Sequence, residues 1–173
     1  MSRLVGKQAP DFKFNAVTGN GEEFVQIKLD DYKGKWLVLF FYPLDFTFVC
    51  PTEITGYSKQ IDKFKELGAE VLGVSVDSEH SHKAWINSSL GQIEFPLASD
   101  MTKRVSDDYG VLIEEEGIAL RGLFIINPEG VLQYSVVHDL NVGRSVDETL
   151  RVLQALQTGG LCPMDWEAGE DLL

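Results

Sequence analysis

Cysteine is scarce in this chain, with two among 173 residues, Cys50 and Cys162, more than a hundred positions apart. No C-x-x-C occurs, which argues against a thioredoxin-type dithiol centre. The three histidines, His80, His82 and His138, do not complete the closely spaced four-ligand set of a zinc site. His80 and His82 fall near the start of an expected helix in SEHSHKAWI, where solvated polar residues are common, so neither is expected to hold a metal, and no cofactor is expected. Basic residues are also in short supply: 15 Lys and Arg stand against 27 Asp and Glu, a net charge of -12. Such a surface repels phosphate backbones and anionic lipid, so neither nucleic acid nor membrane is an expected partner. No run of about 18 apolar residues occurs, and MSRLVGKQAPDFKF lacks the apolar core of a signal peptide. A cytoplasmic address is the expectation.

What the chain does hold is the material for one compact domain, 44% hydrophobic and 24% charged. Trp36 to Tyr42 (WLVLFFY) is a continuous apolar run ended by Pro43, as in a strand buried on both faces of an α/β sheet. A helix is expected next, up to about Leu67, because Ile54, Tyr57, Ile61, Phe64 and Leu67 recur at helical spacing before Gly68. Glu70 to Val76 reads as a second buried strand, followed by a helix capped at Asp77 or Ser78 and running through His82, Ala84, Trp85 and Ile86. This order predicts a parallel pair. Ser99 to Tyr109 reads as a short helix. Leu120 to Ile126 and Val131 to His138 flank the turn Asn127-Pro128-Glu129-Gly130 and should form an antiparallel hairpin. Ser145 caps a last helix, and Phe12 to Leu29, turning at Thr18 to Gly21, forms an N-terminal hairpin.

Cys50 lies where the loop after the first buried strand hands over to a helix. Pro51 suits a first helical turn, so Cys50 is expected to cap that helix, under its unpaired N–H groups and positive dipole end. A free cysteine with a pKa of about 8.5 is only about 3% thiolate at neutral pH, and a helix N-terminus or nearby cation makes the anion the main form. Taken alone, a buried core cysteine fits the position equally well.

The neighbouring residues decide between these. Pro43, Thr47 and Cys50 form P-x-x-x-T-x-x-C inside FYPLDFTFVCPTEI, and the chain also carries APDF, AEVLGVSVDS, PLASD, RGLFIINPEG, VGRSVDETLR and CPMDW. In this order they resemble the typical two-cysteine peroxiredoxins, including the bacterial alkyl hydroperoxide reductase peroxidase subunits, over nearly the whole chain. The resemblance implies a thioredoxin-like α/β fold with an N-terminal β-hairpin extension: residues 1–158 as the peroxidase domain and 159–173 as a tail with the resolving cysteine.

It also implies roles. Cys50 is the peroxidatic thiolate that attacks hydrogen peroxide and alkyl hydroperoxides. Thr47 and the backbone N–H groups near Cys50 hold the peroxide oxygens, Arg121 pairs with thiolate and substrate, Pro43 shields the pocket, and Glu53 with Arg144 orients Arg121. Read without the resemblance, Arg121 is an edge charge on a strand, and Glu53 with Arg144 a surface ion pair. Cys162 resolves the Cys50 sulfenic acid as an intersubunit disulfide, so the protein is expected to be a homodimer, assembling into a decameric ring. A thioredoxin-like protein or a flavoprotein disulfide reductase would return the electrons. A ring-forming chaperone or peroxide sensor is the alternative function. Sensitive members of the family carry a Gly-Gly-Leu-Gly insertion and a covering C-terminal helix. Here Ser88-Ser89-Leu90-Gly91 stands in a shortened loop and the sequence ends at Leu173, so resistance to overoxidation is expected.

Overall fold

The computed structural model describes residues 3–173; residues 1 and 2, the start of the expected first domain, lie outside it. Strand β1 (Lys7–Gln8) precedes a hairpin of β2 (Lys13–Val17) and β3 (Phe24–Lys28) and a 3-10 turn at Leu29–Tyr32. Then β4 (Trp36–Phe41) runs through the loop 42–49 into α1 (Cys50–Lys59) and α2 (Ile61–Glu66). Next come β5 (Ala69–Ser75), α3 (Glu79–Trp85), β6 (Leu97–Ser99) and α4 (Arg104–Asp108). The ribbon β7 (Leu112–Ile113) and β8 (Ile118–Ala119), the hairpin β9 (Arg121–Ile126) and β10 (Val131–His138), and α5 (Val146–Thr158) complete the chain.

The main sheet has the order β1-β10-β9-β4-β5-β6-β2-β3. β4, β5 and β6 are parallel, while β9 joins β4 antiparallel, so the sheet is mixed. Strand alternation splits the core in two: Val38, Phe40 and Tyr42 face α1, α2 and α5, and Leu37, Leu39 and Phe41 face Phe12, Phe14, Tyr109 and Val111. Because neither face of β4 meets water, its sequence is apolar throughout rather than alternating. The N-terminal hairpin is part of this sheet, since β2 pairs with β6 as well as β3.

Several expectations need correction. The helix after Cys50 is two helices, broken at Gln60 (φ -102°, ψ 9°), whose N–H turns back to Tyr57 O and Ser58 O; the break still leaves Ile61 and Phe64 buried. Cys50 is the first helical residue and Val49 the cap, because Val49 O accepts from both Thr52 N and Glu53 N. Ser99 to Tyr109 is mostly not helix: Ser99 pairs in the sheet with Asn15 and Ser75. Only Arg104–Asp108 coils, its start tied by the Asp100 carboxylate, which accepts from the N–H groups of Val105 and Ser106. Beyond Ile86, expected as the helix end, Ser88 to Leu90 is expected as loop, but Ile86–Leu90 is a single π-turn continuing α3, with Ile86 and Leu90 buried. Of the two α3 histidines expected in solvent, His82 is fully buried.

Candidate active site

The strand β4 ends at the middle of the sheet and delivers the chain, through the loop 42–49, to the first turn of α1. Cys50 stands at that turn, fully buried, and Glu53 three residues on shares its face of the helix. Arg121 opens β9, which lies beside β4, so its side chain emerges under the same turn. Arg144 immediately precedes Ser145, whose hydroxyl accepts from Glu148 N and caps α5. Four chemistry-bearing residues from three places, α1, β9 and the entry to α5, therefore meet where strand ends and helix starts converge.

Their geometry is closed. Arg121 Nη1 donates to Cys50 Sγ at 3.3 Å and to Glu53 Oε2 at 2.8 Å, while its Nε donates to Leu140 O at 2.7 Å. Arg144 grips the same carboxylate, Nε to Oε1 at 2.8 Å and Nη2 to Oε2 at 2.9 Å, with its backbone N–H on Oε1 as well. The remaining Arg144 nitrogen donates to Phe41 O and Gly122 O, at 2.7 and 2.6 Å, and the guanidinium lies over the Phe40 ring. At Gly122 a Cβ would sit 2.5 Å from Val111 Cγ1 and 3.0 Å from Phe124 Cε2, so these side chains leave room there only for glycine. Neither arginine is a surface charge: Arg121 is 3% and Arg144 8% exposed.

Burial would push the Glu53 carboxyl up, but the hydrogen bonds and charge of Arg144, with the charge of Arg121, outweigh it and hold Glu53 below its ordinary range. Two cations and one anion leave one unit of positive charge beside the sulfur. The dipole end of α1 acts in the same direction.

Pro43 is buried at the start of the loop and Thr47 is half-buried. The Thr47 hydroxyl donates to Leu44 O at 3.1 Å, not to the sulfur. Cys162 is elsewhere. Helix α5 runs alongside α1 and α2: Thr149 bonds Tyr57 Oη at 3.0 Å, and Gln157 bonds Leu67 O at 2.6 Å. Cys162 Sγ sits near the far end of α5, 3.6 Å from Ala155 O and 3.4 Å from Thr158 Oγ1. Ala155 is ten residues beyond Ser145, about 15 Å along the helix axis, whereas a disulfide needs Cα atoms within about 7 Å. The structure thus brings Cys50, Glu53, Arg121 and Arg144 together, sets Pro43 and Thr47 on the adjoining loop, and holds Cys162 apart; both cysteines are free thiols.

Sequence reasoning missed the polar cluster below the loop. Asp45 is buried and accepts from Tyr42 Oη and Ser81 Oγ, each at 2.8 Å, and meets His82 Nδ1 at 2.7 Å. The signal was present: His82 precedes Trp85 and Ile86 by three and four positions, which places it on the buried face of α3.

Comparison with known proteins gives a consistent result. The model of the AhpC/TSA family matches residues 5–135. A Clostridium pasteurianum protein from the rubredoxin operon, assigned to the peroxiredoxins, is 66% identical with both chains fully covered. Peroxiredoxin-2 of Macaca fascicularis is 56% identical, covering 98% of this chain and 89% of that one. The crystal structure of reduced Plasmodium vivax 2-Cys peroxiredoxin superimposes with a TM-score of 0.95 at 42% identity, covering 99% of this chain and 93% of that one.

Proposed function

This chain belongs to the AhpC/TSA family, the peroxiredoxins, and from that premise we propose how its residues divide the work of a thiol peroxidase. The Cys50 thiolate attacks one oxygen of a peroxide. An S–O bond forms, the O–O bond breaks, and the leaving oxygen departs as hydroxide or alkoxide and takes a proton, leaving Cys50 as a sulfenic acid. The observation that supports this reading most strongly is the Arg121 guanidinium on Cys50 Sγ, fixed by Glu53 and Arg144. As charge passes from sulfur to the leaving oxygen, a rigid cation already in contact with the sulfur stabilises the transition state without reorganising. Thr47 exchanges its bond to Leu44 O for one to the peroxide, and Pro43 keeps water from the pocket.

The tail 159–173 supplies the second step. Cys162 attacks the sulfenic sulfur of a partner copy, an S–S bond forms and water leaves. The intersubunit assignment is supported by the separation of the two cysteines along α5, which the same chain closes only by rebuilding its tail. A homodimer is the smallest assembly that completes this cycle, and a decameric ring built from such dimers is the form we propose. A dithiol protein of the thioredoxin type, or a flavoprotein disulfide reductase, returns the electrons. Among the described residues no helix is long and apolar enough to cross a membrane.

The test is peroxide consumption by full-length protein with a thioredoxin-type protein as reductant. Cys50→Ser should be inert, and Cys162→Ser should reduce one equivalent of peroxide per chain and then stop. Sustained turnover by Cys50→Ser would remove Cys50 from the role of attacker.

A further inference from the structure

The loop 42–49 carries Pro43 and Thr47 to the pocket; its apolar contacts include the Phe46 ring on Trp85, at 5.8 Å between centroids, but its two phenylalanines stay largely open. Phe48 is 95% exposed and Phe46 is 56% exposed. Phe46 also takes φ of +56°, a left-handed conformation that a bulky residue adopts only when its neighbours impose it. The deep polar anchor of the loop is Asp45, one residue before the strained position and two before Thr47.

Asp45 is tied to three elements. Tyr42 Oη, at the end of β4, donates to Oδ1 at 2.8 Å. From α3, Ser81 Oγ at 2.8 Å and His82 Nδ1 at 2.7 Å meet Oδ2. The Asp45 N–H donates to Asp77 Oδ2 at 2.7 Å, and Asp77 N in turn donates to Ser75 Oγ at the end of β5. His82 Nε2 faces Ala98 O on β6 at 3.0 Å. A carbonyl oxygen only accepts, so Nε2 carries a hydrogen. The hydrogen between Nδ1 and the carboxylate then makes the pair an imidazolium facing a carboxylate, or an imidazole facing a carboxylic acid. Either way one hydrogen is held between Asp45 and His82, in a site with no water-exposed surface on the imidazole.

We propose that Asp45 and His82 are positioning residues of the peroxidase reaction. By pinning the loop to α3 and β6 they hold the strained turn at Phe46, and through it place Thr47 and the first turn of α1 over the sulfur. The proposal rests on the reading of Cys50 as the attacking thiol and adds no step to it. Its physical content is that the pin serves the oxygen-binding geometry and not the thiolate itself, whose counter-charge comes from Arg121 on the other side of Cys50. Peroxide attack needs both; alkylation by iodoacetamide needs only an accessible thiolate.

The experiment compares these two reactions at Cys50 in the full-length protein, each followed by rapid mixing and assigned by peptide mass spectrometry. Asp45→Asn and His82→Gln, the latter keeping an amide toward Ala98 O, should each slow oxidation by hydrogen peroxide about a hundredfold while alkylation changes less than about threefold. His82→Asn, which places an amide N–H where Nδ1 stands, should recover most of the loss. Peroxide rates within about threefold of wild type in folded variants, or peroxide and alkylation rates falling together, overturn the proposal. Should these variants fail to fold, Ser81→Ala removes one donor from a half-buried position and decides: a several-fold drop in the ratio of the two rates supports the pin, and an unchanged ratio overturns it. Failure of the Cys50 reading itself would show separately, as wild-type Cys50 that peroxide leaves unoxidised.

Discussion

The surroundings of the two cysteines differ as much as any two regions of this molecule. Cys50 is fully buried against a lattice of two arginines and a glutamate, tied together by charge-assisted hydrogen bonds of 2.8 and 2.9 Å. Cys162 lies on a tail whose neighbours Leu161 and Met164 are 70% and 90% exposed, and its contacts are two weak sulfur hydrogen bonds. The tail has one firm hold: Trp166 is buried, its Nε1 donates to Glu170 O, and its carbonyl accepts from Arg151 Nη1. The difference teaches how the two thiols would suit the opposite tasks proposed for them. An attacking thiol gains from donors fixed before the peroxide arrives. On the proposed division of roles, the resolving thiol crosses to another subunit and so belongs where local rearrangement costs little.

Removing either sulfur is the largest break in this comparison. Cys50→Ser should lose peroxide reduction entirely, and Cys162→Ser only its recycling, as read by single-turnover and steady-state assays side by side. Next in size is the charge that faces Cys50: Arg121→Ala should slow peroxide attack by about two to three orders of magnitude, the range for removing one preorganised donor, and Cys162 alkylation should not respond. Glu53→Ala leaves two buried guanidinium groups without their anion and should destabilise the fold by about 3–5 kcal/mol, measured by denaturant titration.

The same carboxylate predicts a pH dependence. Glu53 is held below its ordinary value of 4.5, so the folded state binds its proton less readily than the unfolded chain. Its contribution is fully present above 4.5 and is lost as pH falls through the lower folded value. Stability should therefore drop on acidification below that point, and Glu53→Gln should flatten the drop while lowering stability at neutral pH.

How much of this was legible in the sequence depended on whether a residue's surroundings are local. The buried strand β4, the cap at Ser145 and the β9 to β10 turn could be read because they are decided by residues within a few positions. Cys50, Glu53, Arg121 and Arg144 were named through a family resemblance; their meeting depends on β9 pairing with β4 and α5 lying along α1, which no short window contains. The sheet role of Ser99 was missed because tertiary pairing overrode helical spacing, and the break at Gln60 leaves Ile61 and Phe64 buried, so it has no signature in the apolar periodicity. His82 was misplaced because its polarity was weighed above its periodicity, and its hydrogen-bond partner, Asp45, is 37 residues away.

A smaller perturbation sharpens the contrast on the tail side. Trp166→Ala should free the tail, so that hydrogen exchange rises across residues 159–173 while single-turnover oxidation of Cys50 keeps its rate. Smallest is Ser145→Ala, which removes the cap of α5 and should cost about 1 kcal/mol in thermal or denaturant unfolding, with little change in peroxide rate.

The central claim, that Cys50 attacks peroxide because Arg121 is fixed against it, is tested most directly by trapping. Cys162→Ser protein, with and without Arg121→Ala, is mixed with one equivalent of hydrogen peroxide, quenched at intervals with a sulfenic-acid reagent and mapped by mass spectrometry. One sulfenic acid per chain on Cys50, forming about a hundredfold more slowly without the guanidinium, is the predicted result. Adduct formation that bypasses Cys50, or that proceeds at the same rate without Arg121, would contradict it.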